Sequence, residues 1–314
     1  MSMRRHAKQH SVDNVILYGL AVISVVFLSS NNTYIQYQKQ KVNKVEINNS
    51  NVVAQEQILF NTSAFVDVPV HGKSYVVYDI VNQKVLAGKN EESVLPLASI
   101  TKVMTGVSAK LHNSMDTNIS ISPEIIEDGY DLGLAKGQVW GLDEMLKYML
   151  VFSSNDGALA VANSLGGRKS FISQMNTDAK DLGLTMYFTH PAGLDENHEI
   201  GGLGSALSVA KLVSFATAKF PDIFESTTKK RLTVTASTGR VIGIPNTNQE
   251  VSDFIGITMS KTGFTDKAGG NLVIVVEVVV GHPVAIVVLG STHEERFSDV
   301  SKLYKALQQS VIVK

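Results

Sequence analysis

The strand-forming stretches of this chain fall into two groups, and a long helical stretch separates them. At the front, Lys73–Asp79 (KSYVVYD) and Gln83–Ala87 (QKVLA) are β-branched and aromatic runs joined by a turn at Ile80–Asn82, which predicts a hairpin. At the back, Ile255–Lys261, Asn271–Val280 and Pro283–Leu289 are strongly β-prone, preceded by weaker runs at Leu232–Thr235 and Val241–Ile244. Between the groups, Leu142–Phe152, Asp156–Leu165, Lys169–Leu182 and Ser208–Phe220 carry helical spacing, the last with Ser208 as its N-cap. A further helix opens at Ser99 and runs to about Leu111, Asn118–Ser122 reads as a short strand, and Glu294–Gln308 closes as an amphipathic helix. Strands and helices do not alternate as they would in a βαβ chain. The order predicts an α+β fold: one antiparallel sheet with strands from both ends, flanked by helices, with a helical subdomain inserted. A cleft is expected where the two parts meet, and Ser99 lies at that junction.

Upstream of the front group the chain changes character. Residues 1–14 are polar and carry Arg4, Arg5 and Lys8, and Val15–Leu28 is an uncharged apolar run. Residues 15–30 therefore read as a signal anchor or signal peptide. No charge falls between Asp13 and Lys39 and no A-x-A-like cleavage site follows, which favours an uncleaved anchor with residues 1–14 cytoplasmic. Lys39, Lys41 and Lys44 on the far side partly offset the orientation signal. Residues 31–66, rich in Asn, Gln, Ser and Val, read as a polar stalk or linker, with Ile58–Phe60 touching a folded domain at 67–314. That length is ample for a packed core. A net charge of −1 with 18% charged residues offers no basic face for nucleic acid. The absence of cysteine excludes disulfides, thiolate metal sites and a cysteine nucleophile.

The chemistry concentrates in three short motifs. The first is Ser99-x-x-Lys102, in LPLASITKVMT. Residues three apart on a helix share a face, so Lys102 can take the proton that keeps Ser99 from being a nucleophile, provided its amine is held uncharged. Backbone N–H groups at a helix start suit an oxyanion. Alone this signal is weak: about one or two S-x-x-K matches arise by chance at average composition, and Ser226–Lys229 is a second one. The next motif is Ser153-Ser154-Asn155, where a hydroxyl can relay a proton and an amide can donate to a carbonyl and accept from a lysine. A helix N-cap is the bland reading of the same residues. The last is Lys261-Thr262-Gly263, at the end of a β-prone run. A cleft-edge strand can pair with an extended substrate, glycine leaves room for its approach, Thr262 can bind a carboxylate and Lys261 supplies a positive charge. Alternation puts Lys261 and Thr262 on opposite faces, so both serve only if the strand is an edge and Lys261 reaches in from beneath.

Together the S-x-x-K, S-x-N and K-T-G motifs, in that order, form a recognised set. With VVYDIVNQKVLAGKN, PLASITKVMT, SSNDGALAVAN, THPAGLDENH, IPNTNQE, KTGFTDKAGGNL and RFSDVSKLYKAL, the chain from about Ser74 to Leu307 resembles the D-alanyl-D-alanine carboxypeptidases among low-molecular-mass penicillin-binding proteins. The resemblance implies a serine β-lactamase/transpeptidase-like fold and action on peptidoglycan stem peptides at the outer face of the bacterial cytoplasmic membrane. It implies Ser99 as nucleophile, Lys102 as base, and Ser153 and Asn155 as proton shuttle and substrate positioner. Lys261 would support the electrostatics, Thr262 would hold the terminal carboxylate, and the N–H groups of Ser99 and Phe264 would form the oxyanion hole. β-Lactams are the implied covalent inhibitors, no metal or organic cofactor is needed, and membrane attachment falls to the N-terminal segment. His190 reads as a turn or packing residue. Arg296 suits a carboxylate contact or a helix-start surface charge. Glu196 and Glu199 have the chemistry of a deacylating glutamate, but LDENHEIGG lacks the Glu-x-x-Leu-Asn of a class A β-lactamase. A DD-endopeptidase uses the same residues, and a non-catalytic wall-binding domain would have no need to keep them.

Overall fold

The computed structural model describes residues 58–126, 133–196 and 198–313. The apolar run at 15–28 lies outside them. Among the described residues, no helix is long and apolar enough to cross a membrane.

The chain enters through β1 (Ile58–Phe60) and a 3-10 turn at Thr62–Phe65, then forms the predicted hairpin as β2 (Ser74–Asp79) and β3 (Lys84–Lys89). A two-residue strand, β4 (Leu95–Pro96), leads into a 3-10 turn at Ala98–Ile100 and helix α1 (Thr101–His112). The helical part follows: β5 (Asn118–Ser120), β6 (Val139–Gly141), α2 (Leu142–Phe152), α3 (Asn155–Ser164), α4 (Arg168–Asp181), β7 (Met186–Phe188), β8 (Gly202–Gly204), α5 (Ala206–Lys219) and the single turn α6 (Pro221–Phe224). A hairpin of β9 (Arg231–Thr235) and β10 (Val241–Pro245) precedes the long strands β11 (Ile257–Thr265), β12 (Gly269–Val279) and β13 (His282–Ser291). Helix α7 (Glu295–Ser310) and β14 (Val311–Val313) end the chain, and β14 pairs antiparallel with β1.

The main sheet is five-stranded, in the order β11-β12-β13-β2-β3, and its pairings are antiparallel. Strands from both ends of the domain thus meet in one sheet, as the sequence order predicts. Both faces of the sheet are covered. Val76, Val273, Val275, Ala285 and Val287 pack into a core shared with the helical part. Their neighbours Val77, Ile274, Val276, Val284 and Ile286 pack against Leu303 and Leu307 of α7. A strand buried on both faces has no polar side to show, which is why β12 and β13 read as continuous apolar runs rather than alternating ones.

Helix α1 runs through the helical part, buried from Thr101 to Ala109. Trp140, Tyr148 and Phe152 form a file of tilted rings, centroids 5.6 and 5.7 Å apart. The predicted elements are present with small boundary shifts. One correction concerns α5: its N-cap is Ser205, which accepts from the Ser208 N–H at 3.1 Å, not Ser208. Both serines satisfy the composition rule, and only the chain's direction of entry distinguishes them. The end of the expected linker is also structured, as β1 and the turn at Thr62–Phe65.

Candidate active site

The sequence places Ser99 at a helix start. In the structure it sits one step earlier, in the 3-10 turn between β4 and α1. Ala98 holds φ at +47°, a left-handed conformation that costs alanine about 1–3 kcal/mol. This bend turns the chain from β4 into the helix with Ser99 at the corner. Lys102 then lies in the first turn of a helix buried on every side, and it is fully buried. Its Nζ is 2.8 Å from Ser99 Oγ, 2.8 Å from Asn155 Oδ1 and 3.0 Å from the Ala192 carbonyl oxygen.

Asn155 and Ser153 come from the junction of α2 and α3. Ser153 ends α2 in the left-handed region at φ +62°, and Ser154 caps α3 by accepting from the Gly157 N–H at 2.7 Å. The bland reading of this motif, a helix cap, therefore holds for Ser154, while its two neighbours face the other motifs. Lys261 reaches them from β11, the edge strand of the main sheet. Its side chain is almost fully buried, and its ammonium donates to Ser153 Oγ at 2.8 Å and to the Thr262 carbonyl at 2.9 Å. Burial, then the charges of Lys102 and Arg296, push the Lys261 ammonium well below the ordinary lysine range. Two amines held in one pocket do not both keep a proton easily.

Thr262 turns the other way, its hydroxyl donating to Thr247 Oγ1 at 2.7 Å. Gly263 passes so close to the Ser99 turn that a Cβ there would stand 3.2 Å from the Ser99 nitrogen. Phe264 is exposed, its ring meeting His293 edge-on at 4.9 Å. The structure thus joins Ser99, Lys102 and Asn155 in one set of contacts and Lys261 and Ser153 in a second, with Lys102 near enough to act on the Lys261 ammonium. It lays Thr262 and Gly263 along the edge and leaves Phe264 at its open end. Ser226, in the competing S-x-x-K match, instead donates to the Ile223 carbonyl at 2.6 Å in a 3-10 turn.

Several further groups surround the site, and the sequence does not say how they are placed. The Ala192 carbonyl is a backbone atom, and periodicity says nothing about it. Arg296 is buried rather than at the surface, and its Nη1 donates to the Gly263 carbonyl at 2.9 Å. Asp195 ties the loop after Ala192 to β11 by accepting from Thr265 Oγ1 at 3.0 Å. The Glu196 carboxylate is taken up by Arg168 and lies 3.0 Å from His190 Nε2, so it is not presented to Ser99 as a base. An arrangement of this kind can make a serine hydroxyl nucleophilic, hold an extended chain along β11, and relay a proton through Ser153.

A family model described as D-alanyl-D-alanine carboxypeptidase matches residues 61–293. The chain is 34% identical to a D-alanyl-D-alanine endopeptidase of Haemophilus influenzae, over 65% of this chain and 70% of that protein. It is 28% identical to a D-alanyl-D-alanine carboxypeptidase of Bacillus subtilis, over 74% of this chain and 60% of that protein. Among solved structures, penicillin-binding protein D2 of Listeria monocytogenes in its ampicillin-bound form superimposes with a TM-score of 0.66 at 28% identity, covering 76% of this chain and 98% of that one.

Proposed function

The chain belongs to the D-alanyl-D-alanine carboxypeptidase family, and on that premise we propose that Ser99 is the nucleophile and Lys102 its base. The observation that carries this is the 2.8 Å contact between Ser99 Oγ and a fully buried Lys102 Nζ. Asn155 Oδ1 and the Ala192 carbonyl can each take an N–H of the uncharged amine, which turns its lone pair toward the serine. Lys102 removes the hydroxyl proton as Ser99 Oγ attacks the carbonyl carbon between two D-alanines. The Ser99 N–H, beside the side-chain-free Gly263, and the Phe264 N–H meet the developing oxyanion. Ser153, polarised by Lys261, passes its proton to the departing amine nitrogen of the terminal D-alanine and takes in its place the proton that Lys102 removed. Thr262 holds that residue's carboxylate. Water then cleaves the ester and returns the Ser99 hydroxyl.

The substrate is the stem peptide of peptidoglycan, so the work lies outside the cytoplasm, with residues 15–30 acting as a signal anchor or signal peptide. The ampicillin complex of the Listeria protein supports β-lactams as covalent inhibitors of this chain. A fluorescent penicillin should label the protein and fail to label Ser99→Ala. Labelling of Ser99→Ala, or none of the wild type, would overturn the assignment. A second reading, cleavage of cross-links, is favoured by the name of the Haemophilus relative. Product analysis on cross-linked and uncross-linked fragments separates the two: free D-alanine from pentapeptide ends marks the carboxypeptidase.

A further inference from the structure

His190 is buried, close to the catalytic lysine, and has no part in the steps above. It opens a turn closed by the Gly193 N–H donating to its carbonyl at 3.1 Å, with Pro191 in the second place, where a fixed φ suits a type I turn. The turn touches the machinery at three points. The Ala192 carbonyl takes the Lys102 amine at 3.0 Å. The Pro191 carbonyl accepts from Thr105 Oγ1, one turn further along α1, at 2.6 Å. Gly193, at φ +75°, packs so tightly under the nucleophile's turn that a Cβ would fall 2.0 Å from the Ala98 oxygen. Inside the turn, His190 Nδ1 accepts from the Ala192 N–H at 3.0 Å. Its Nε2 faces Glu196, which also holds Arg168.

We propose that His190 is a positioning residue: its Nδ1, by holding the Ala192 N–H, aims the Ala192 carbonyl at Lys102 and so directs the lone pair of the base toward Ser99. The peptide unit before Ala192 carries that N–H, the unit after it carries the carbonyl, and Pro191 stiffens the approach. Without an acceptor at Nδ1 the N–H would be left unpaired in a buried site, and the unit would rotate to find another partner. Only an imidazole without a proton on Nδ1 can accept here, and the site keeps it so. Burial first, then the Arg168 charge, bring its pKa down to about 4, with Lys102 adding to the shift and Glu196 opposing it. The proposal rests on Lys102 being the base of Ser99.

The test is the rate constant for acylation by a penicillin, normalised to the fraction of enzyme that is eventually labelled. It is measured across pH in wild type, His190→Ala and His190→Asn. Asparagine offers an acceptor oxygen near the place of Nδ1 but is too short to reach Glu196. The Ala variant should acylate at least about tenfold more slowly, while the Asn variant stays within about threefold of wild type. In the Ala variant the acid limb of the rate profile should move to lower pH, because the ammonium of Lys102 loses a carbonyl that stabilises it. A purely structural role would lower the labelled fraction and leave rate constant and limb unmoved. That result, an Ala variant as fast as wild type, or an Asn variant as slow as Ala, would overturn the proposal. A wild type that is not acylated would remove the Ser99 reading and this one with it.

Discussion

Gly263→Ala asks whether the close passage of β11 by the Ser99 turn matters for reaction. An ideal Cβ at this position stands 2.8 Å from the Leu97 oxygen, 3.2 Å from the Ile100 nitrogen and 3.2 Å from the Ser99 nitrogen. All three are backbone atoms, so no side-chain rotation relieves the contact. Comfortable contacts begin near about 3.5 Å, so strand and turn must part by about 0.7 Å at the closest of them. The Gly263 φ lies outside the left-handed region, so alanine suffers no torsional penalty there and the effect is steric. A misplacement of about 1 Å at a reacting centre costs about 10²-fold in rate, so about 0.7 Å predicts about 25-fold, or about 1.9 kcal/mol in the barrier. The methyl group also covers the Ser99 N–H proposed to meet the oxyanion, which adds to the loss. The assay is the rate constant of penicillin acylation with time-resolved gel fluorescence. Gly243→Ala is the control, because its Cβ would meet only an Arg231 side-chain nitrogen at 3.7 Å. Gly263→Ala acylating within about twofold of wild type would refute the claim that this approach tunes the site.

Asp299→Ala should destabilise the fold by about 3 kcal/mol in urea denaturation, since its fully buried carboxylate accepts from the His71 and Gly72 N–H groups at 2.9 and 3.0 Å and from Ser291 Oγ at 2.7 Å, and removal strands all three donors. A loss below about 1 kcal/mol would mean that water replaces the carboxylate. Acid should also weaken the protein through His190, faced by Glu196, Arg168 and Lys102. Its pKa of about 4 in the fold lies below the ordinary 6.5. The unfolded chain alone therefore takes the proton as pH falls from 6.5 to about 4, and about 3 kcal/mol of stability goes in that window. His190→Asn should flatten this part of the stability-against-pH curve, and an unchanged slope would contradict the assignment.

Much of this arrangement is readable before any coordinates. β-Branched runs at both ends of the domain are enough to predict one antiparallel sheet around a helical insertion, because strand propensity and helical spacing are local properties. The motif residues are legible for the same reason: Ser99 and Lys102 are neighbours through helix geometry alone. Other parts resist. Ser205 and Ser208 are equally good caps on composition, and the choice between them depends on how β8 delivers the chain. The strands β4, β7 and β8 are two or three residues long, too short for any period to show. Arg296 looks like a surface charge at a helix start, yet α7 packs against the back of the sheet and carries it under β11.

The sequence by itself determined which side chains are present, their order, and the pairings that lie within one turn of a helix or one stretch of strand. Tertiary structure alone decided that Asn155, Lys261 and the Ala192 carbonyl converge on the Ser99 corner. Those groups are far apart along the chain, and their meeting depends on how the helical part packs on one face of the sheet. A hydroxyl and an amine one turn apart are common in proteins. What sets this pair apart is the complete burial of Lys102, and burial belongs to the whole fold.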